Sequence, residues 1–459
     1  MNACSGCYNK QRKIDELRDK VQQLEQRLGY RKRKEKEGYF GSSTPSSKVP
    51  VKVNTSEENQ TKNGGAVIGH KGHGRRSATA QTAETEDRIA VEASVCPDCG
   101  EPLEDRGYED RTVVESFPVR AKKKLYHLGQ KRCPKCRKVI TAKAPAVLPR
   151  NLYGNQLLSH VATNHYLHGI PLGRILEEIG ISEDGSLIGA LHRLGQLFAK
   201  IPDRLMMEYR QSAVKHADET GWRTNGAGGY AWIFCTTETS LFLFRKTRSA
   251  QVPKEVFGEE KLSGVLVVDR YNGYNKTPCS IQYCYAHLLR EFEDLEKSFP
   301  EDAEIKSFAS VAIPLITEAI KLRAQPISDD EFYKKAKLLK EQIIEVMKRP
   351  AKHLGIRRLQ DIFIEKADRL YHWACDRRVP ADNNFAERDL RPTVVARKVS
   401  FGSQSDNGAR TRSILMSVLH TLKKRTADPV AQFKNALDVL AKNPSLDPYS
   451  LLFPKPLPP

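Results

Sequence analysis

The chain lacks any apolar run near the ~20 residues needed to span a bilayer, which excludes a helical membrane protein. Met1 to Ile14 has no apolar signal core, so a cytoplasmic protein with no membrane partner is expected. Acidic residues are few beside basic ones: 56 Asp and Glu against 75 Lys and Arg leave a net charge of +19. Such an excess calls for a polyanionic partner, and in a cytoplasmic chain nucleic acid is the expected one. From Phe117 through Pro171 there is no Asp or Glu at all, and Lys122, Lys123, Lys124 and Arg132 within it are assigned to DNA contact. Cysteine is thin too. Ten cysteines spread over 459 residues do not make a disulfide framework.

What is present suggests about three folding units. Ile14, Leu17, Val21, Leu24 and Leu28 form an apolar seam spaced three and four residues apart. It reads equally as a short coiled coil over 1–29 or as one amphipathic helix packed on its own domain. Residues 30–88, with Arg31 to Lys34 and the Gly/His/Lys/Arg stretch from Gly64 to Arg76, read as a basic flexible linker. Residues 89–150 hold Cys96-Pro-Asp-Cys99 and Cys133-Pro-Lys-Cys136. Two such knuckles bring four thiolates to one tetrahedral zinc ion and leave no open position, so the zinc is structural. Strands are expected around it over Thr112–Val119 and Lys124–Leu128. Cys4 and Cys7 form a third Cys-x-x-Cys with no second pair nearby and stay unassigned. Over 151–210, Leu172 to Ile179, a Gly180-Ile181-Ser182 turn and Leu187 to Phe198 resemble a helix-turn-helix. Helical hairpins unconnected with DNA share that pattern.

Residues 211–425 read as an α/β unit. Ser212 to Arg223, Tyr230 to Thr236 and Leu241 to Arg245 are three strands with short polar connections, so an antiparallel meander is expected. A helix near Val252 to Glu259, a buried strand Gly264 to Asp269 and a short strand Ile281 to Tyr285 follow. That order is ribonuclease-H-like, and it sets the first strand beside the fourth. Asp218 and Asp269 then emerge together at the sheet centre. A helical insertion occupies 288–375, and Asp382 is the expected N-cap of a helix carrying Glu387. Residues 426–459 read as a C-terminal tail.

Phosphodiester cleavage needs an activated hydroxyl and neutralised charge on the leaving oxygen, and hard divalent cations held by carboxylates supply both. Asp218, Asp269 and Glu387 are therefore the candidate ligands of two Mg²⁺ (or Mn²⁺) ions. Taken singly, a strand-end Asp is more often a turn cap and a helical Glu more often solvated. Their joint placement in one fold order, within a basic chain, carries the assignment.

Four segments resemble the DDE transposases of the insertion-sequence family sixty-six: Asp218-Glu-Thr-Gly-Trp222, Val268-Asp269-Arg-Tyr-Asn-Gly-Tyr274, Cys284-Tyr-Ala-His287-Leu-Leu-Arg290 and Asn383-Asn-Phe-Ala-Glu387-Arg-Asp-Leu-Arg391. Arg397-Lys398 and Phe401-Gly402-Ser403 match that family's downstream signature, and the resemblance spans nearly the whole chain. It departs at Gly64 to Gly72, at Tyr285, where tryptophan is commoner, and in the tail. The resemblance implies a ribonuclease-H-like domain with a helical insertion, cleavage of DNA 3′ ends and strand transfer. Implied partners are double-stranded DNA (terminal inverted repeats and target), a second copy of the chain in a homodimer or larger assembly, and small accessory proteins. The implied setting is the bacterial nucleoid. Arg391, Arg397 and Lys398 flank the third carboxylate and are assigned to DNA phosphates. Trp222 is read as core packing near the site. His287 either positions a phosphate or a metal-bound water, or is a hydrogen-bonded structural histidine. Arg388 and Arg290 are equally suited to pair with acidic neighbours. The competing functions are a catalytically inactive, transposase-derived DNA-binding protein and a related Mg²⁺-dependent nuclease.

Overall fold

A computed structural model describes residues 101–102, 120–132, 134, 136–137, 139–181 and 185–454. The expected coiled coil, the linker, the Thr112–Val119 strand and Cys4, Cys7, Cys96, Cys99 and Cys133 lie outside the described residues. Next to the second cysteine pair, β1 (Gln130–Arg132) and β2 (Val139–Thr141) form an antiparallel hairpin with Lys131 opposite Ile140. No strand forms over Lys124–Leu128, contrary to expectation. Leu125 is 80% exposed there, so that segment has no sheet to pack on.

The helical run that follows comprises α1 (Asn155–Ala162), α2 (Leu172–Ile179), α3 (Gly185–Leu197) and α4 (Ile201–Gln211). Their apolar faces (Leu158, Ile175, Leu191, Leu205) enter the same core as the sheet residues Trp222, Ile233 and Phe242. The helix-turn-helix-like segment is thus a wall of the main unit.

The sheet contains β3 (Val214–Thr224), β4 (Ala227–Cys235), β5 (Ser240–Arg245), β6 (Val265–Val268) and β7 (Ser280–Tyr283). Its order is β5-β4-β3-β6-β7. The first three strands are antiparallel, and β6 and β7 add in parallel. Asn225 and Gly226, with φ of 50° and 73°, make the tight turn that twists β3 into β4, as the Asn-Gly pair predicts. The short helix α5 (Gln251–Phe257) covers the crossover to β6.

A helical insertion follows: α6 (Tyr285–Ser298), α7 (Ala303–Leu322), α8 (Asp329–Lys348), α9 (Leu354–Glu365) and α10 (His372–Cys375). The chain then returns to the sheet through α11 (Asn384–Ser400) and β8 (Gly402–Ser403), which pairs with β3. Side chains alternate across a pleated sheet, so β3, β4 and β5 each feed two cores. Ala217, Trp232, Phe234 and Leu266 pack with the insertion (Phe292, Ile343, Phe363), while Trp222, Ile233 and Phe242 pack on the other face. That second face is closed by α11 and α12 (Asp406–Arg425), then by α13 (Pro429–Lys442) and α14 (Pro448–Leu452). The stretch read as a tail therefore contributes buried Phe433 and Leu437 to the main core. No helix among the described residues is long and apolar enough to cross a membrane.

Candidate active site

Parallel pairing of β3 with β6 sets Val214, Lys215 and His216 opposite Val265, Leu266 and Val267. Continued by two residues, the same register puts Asp218 level with Asp269, one position beyond β6. Both are almost sealed, at 2% and 3% exposure. One oxygen of each accepts a nearby backbone N–H: Glu219 N donates to Asp218 and Tyr271 N to Asp269, both at 2.9 Å. Burial, and then the charge of Glu219, hold the Asp269 carboxyl well above the usual carboxylate range.

Glu219 is a fourth buried carboxylate, on the opposite side of β3 from Asp218. Arg248 Nε donates to it at 2.8 Å, and the Tyr274 hydroxyl donates to its other oxygen. Arg248 lies over the Tyr271 ring, 4.0 Å from its centroid. Burial raises the Glu219 carboxyl, and Arg248 and Tyr274 oppose that rise.

The helix bearing Glu387 is tied to this centre by Asn383. Asn383 Oδ1 accepts from His216 Nδ1 at 2.9 Å, Nδ2 donates to the Ala217 carbonyl at 2.8 Å, and its backbone N–H donates to Cys284 Sγ at 3.1 Å. With Nδ2 committed to a carbonyl, the His216 proton is assigned to Nδ1. Cys284 N in turn donates to Val268 O at 2.8 Å, so the Asn383 side chain holds β3 while its backbone N–H, through Cys284, ties the same residue to the end of β6 and the start of α6. This displaces the expected cap. The helix begins at Asn384, Asn383 holds the N-cap position with its side chain turned into the sheet, and Asp382 accepts from Asn384 N at 3.2 Å instead.

Glu387 follows one turn later, its N–H donating to Asn383 O at 3.3 Å. Arg290 stands 3.9 Å from one carboxylate oxygen, and the other is buried without a hydrogen-bond partner. Both ring nitrogens of His287, one terminal nitrogen of Arg290 and Arg270 Nε are buried without partners as well. Burial, then Arg290 and Arg270, push His287 down to about 3, so its ring is neutral. The hydrogen-bonded structural histidine is not what is found. Arg290 does face an acidic neighbour, as one reading of it required.

Among the described residues, no three His, Cys, Asp or Glu side chains stand close enough together to hold a metal ion. Asp218 and Asp269 share the sheet centre, while Glu387 is turned toward Arg290. The donor chemistry nonetheless suits a hard cation. Burial raises the carboxyls of both Asp269 and Glu387, and added positive charge would relieve each. The free Glu387 oxygen is an unspent ligand. Cys136, the described member of the proposed zinc set, is exposed and unbonded.

Of the expected DNA contacts, Lys122, Lys123, Lys124, Arg391 and Lys398 are exposed, and Arg132 lies on β1. Arg397 instead turns inward, donating to Thr220 Oγ1 at 2.9 Å and Gly221 O at 3.1 Å, and so fastens α11 to β3. Trp222 is core, as expected: 2% exposed, edge-on to Phe244 and bonded to Ser403 Oγ at 3.2 Å. A cavity of about 550 Å³ lined by Thr224, Gly228, Arg245 and Arg410 contains none of the three carboxylates. The roles of Glu219 and Asn383 escape a reading by motif. For Glu219 the one signal is two consecutive acids within a strand, which must fall on opposite faces, so that one of them needs an internal counter-charge.

Residues 150–411 match the model of the Transposase IS66 family. The chain belongs to the IS66 transposase family. This family member is 25% identical over 348 residues to the uncharacterized protein y4qI of Sinorhizobium fredii (strain NBRC 101917 / NGR234), covering 66% of this chain and 63% of that protein. It is similar to two further uncharacterized proteins of that strain. With y4jD it is 23% identical over 395 residues, 76% of this chain and 75% of that protein. With y4hP it is 22% identical over 423 residues, 80% and 74% respectively. The match to y4qI thus spans less than two thirds of that relative's length.

Proposed function

We propose that this chain is a DNA transposase that cuts and joins phosphodiesters at Asp218, Asp269 and Glu387. The observation that carries this is the β3–β6 register, which sets two nearly sealed aspartates level at the sheet centre with the Glu387 helix clamped across them. The strand order supports a ribonuclease-H-like catalytic core. The three carboxylates would hold two divalent cations, Mg²⁺ or Mn²⁺. When bound, these supply charge neutralisation at the phosphodiester and a more acidic attacking hydroxyl. The chain's own part is to fix ligand positions. Asn383 orients α11, Glu219 and Arg248 brace β3 from behind, and the Arg290 charge opposes the rise that burial imposes on the Glu387 carboxyl. Exposed Arg391 and Lys398 sit on the same helix as Glu387, where phosphates can be neutralised. The substrates in this reading are the terminal inverted repeats and target DNA, with a second copy of the chain in the complex. Cys96, Cys99, Cys133 and Cys136 are assigned to one structural zinc.

Asp218→Asn preserves shape and removes the charge. It should abolish Mg²⁺-dependent nicking of DNA carrying the element ends while leaving gel-shift affinity unchanged. Equal nicking by wild type and this variant would end the enzymatic reading.

A further inference from the structure

Phe401 closes α11 as its C-cap, a place where a left-handed residue is common but is usually glycine. It is 72% exposed, and its backbone is left-handed, with φ 60° and ψ −12°. A bulky L-residue is strained there, and glycine or asparagine would be at ease. A bulky ring held in that conformation and left largely exposed points toward contact with something outside the chain. The position is also rigid. Phe401 N donates to Arg397 O at 3.0 Å, Arg397 is anchored to Thr220 and Gly221, and the next residue, Gly402, pairs with Arg223 of β3. A ring on such a mount is presented, not mobile.

Its surroundings name the partner. On the Glu387 face of α11, Arg391, Val395, Lys398 and Val399 follow at helical spacing, all exposed, and Arg223 beside Gly402 is exposed as well. Cations interleaved with apolar side chains, ending in an unsupported aromatic ring, suit a polyanion that also has flat apolar faces. Nucleic acid has both. Along α11, Phe401 is fourteen residues beyond Glu387, about 21 Å, or roughly six stacked nucleotides at 3.4 Å each.

We propose that Phe401 is a base-stacking residue: it lies against an unpaired or unstacked nucleobase of bound DNA, about six nucleotides from the phosphodiester placed at the carboxylates. This rests on the DNA-transposase reading and adds a contact which that reading does not require.

The test uses the full chain and a forked DNA with 2-aminopurine placed in turn along the unpaired arm. Wild type and Phe401→Trp should quench the fluorescence at one position. Phe401→Gly should lose the quenching and bind the fork about tenfold more weakly, the loss expected for one stacked base. Because glycine relieves the left-handed strain, its Tm should equal or exceed that of wild type, so a folding defect cannot imitate the result. Quenching and affinity unchanged in Phe401→Gly would overturn the proposal. So would a shift of self-association in DNA-free Phe401→Gly by sedimentation, which would make the ring a protein contact. If wild type binds no DNA at all, the transposase reading falls with it; binding without Phe401-dependent quenching removes this inference alone.

Discussion

At the residue scale, the site rests on polar side chains that touch no substrate. The Asn383 side chain spends its oxygen on His216 and its nitrogen on the Ala217 carbonyl while its backbone N–H meets Cys284, and a buried amide so used fixes position because each lost bond leaves an unpaired partner. Asn383→Ala should cost about 2–4 kcal/mol in urea unfolding. In variant protein still folded at low temperature, nicking should fall at least tenfold while DNA affinity stays within about twofold, since only the Glu387 helix has lost its anchor. Parallel loss of affinity and nicking would instead mean that Asn383 supports the whole unit. Glu219 illustrates a related point. A buried carboxylate is tolerated because Arg248 and Tyr274 satisfy it, and those same groups back the strand that carries Asp218.

At the element scale, α11 is a strut held at both ends. Asn383 binds its start to β3, Arg397 binds its last turn, and the two-residue β8 returns to β3 directly after it. That return needs glycine. Gly402 has φ 143°, and a Cβ there would collide with the Arg223 carbonyl, lying 2.9 Å from its carbon. Gly402→Ala should therefore break the β3–β8 bridge and lower stability by about 2–4 kcal/mol, measured as a shift in urea midpoint. Accelerated hydrogen exchange at Asn225, whose N–H donates to Ser403 O at 2.9 Å, would locate the damage. Retention of wild-type protection at Asn225 would show that the chain accommodates the added methyl without losing the bridge.

At the scale of the whole molecule, one sheet separates two cores, and several histidines are sealed within the structure uncharged. His165 is held down to about 3 by burial and by Arg412, which donates to its Nε2 at 2.7 Å. His420, with Lys423, Lys424 and Asp389 around it, is held at about 4 by burial. Unfolded imidazoles titrate near 6.5, so between that pH and the folded values the unfolded chain takes up protons that the native one refuses. The stability they contribute is fully present above about pH 6.5 and drains away as pH falls, at roughly 1.4 kcal/mol per pH unit for each site. The raised carboxyls of Asp269 and Glu387 give the opposite slope in the same window, so the histidine share is read as the difference between wild type and a histidine variant in urea unfolding between pH 7 and 4.5. His420→Gln, which keeps a donor for the Tyr166 carbonyl, should reduce the slope by one site's share. An unchanged slope would mean that His420 is not a group resisting protonation.

The strand pattern, the Asn225-Gly226 turn, the buried run before Asp269 and the helical insertion were legible in the amino-acid order, because each follows from side-chain periodicity within a few residues. So were Asp218, Asp269 and Glu387 as candidates, since runs such as Asp218-Glu-Thr-Gly-Trp222 and Asn383-Asn-Phe-Ala-Glu387 carry their own signature. Contacts between distant segments were not legible. The folding of 429–452 into the main core, the inward turn of Arg397, the shift of the helix cap from Asp382 to Asn383 and the pairing of Glu219 with Arg248 all join residues far apart or set by close competition. Only the packed chain decides which partner each polar group finds. Local order specifies what a segment can form; burial specifies which of its groups must be satisfied, and by whom.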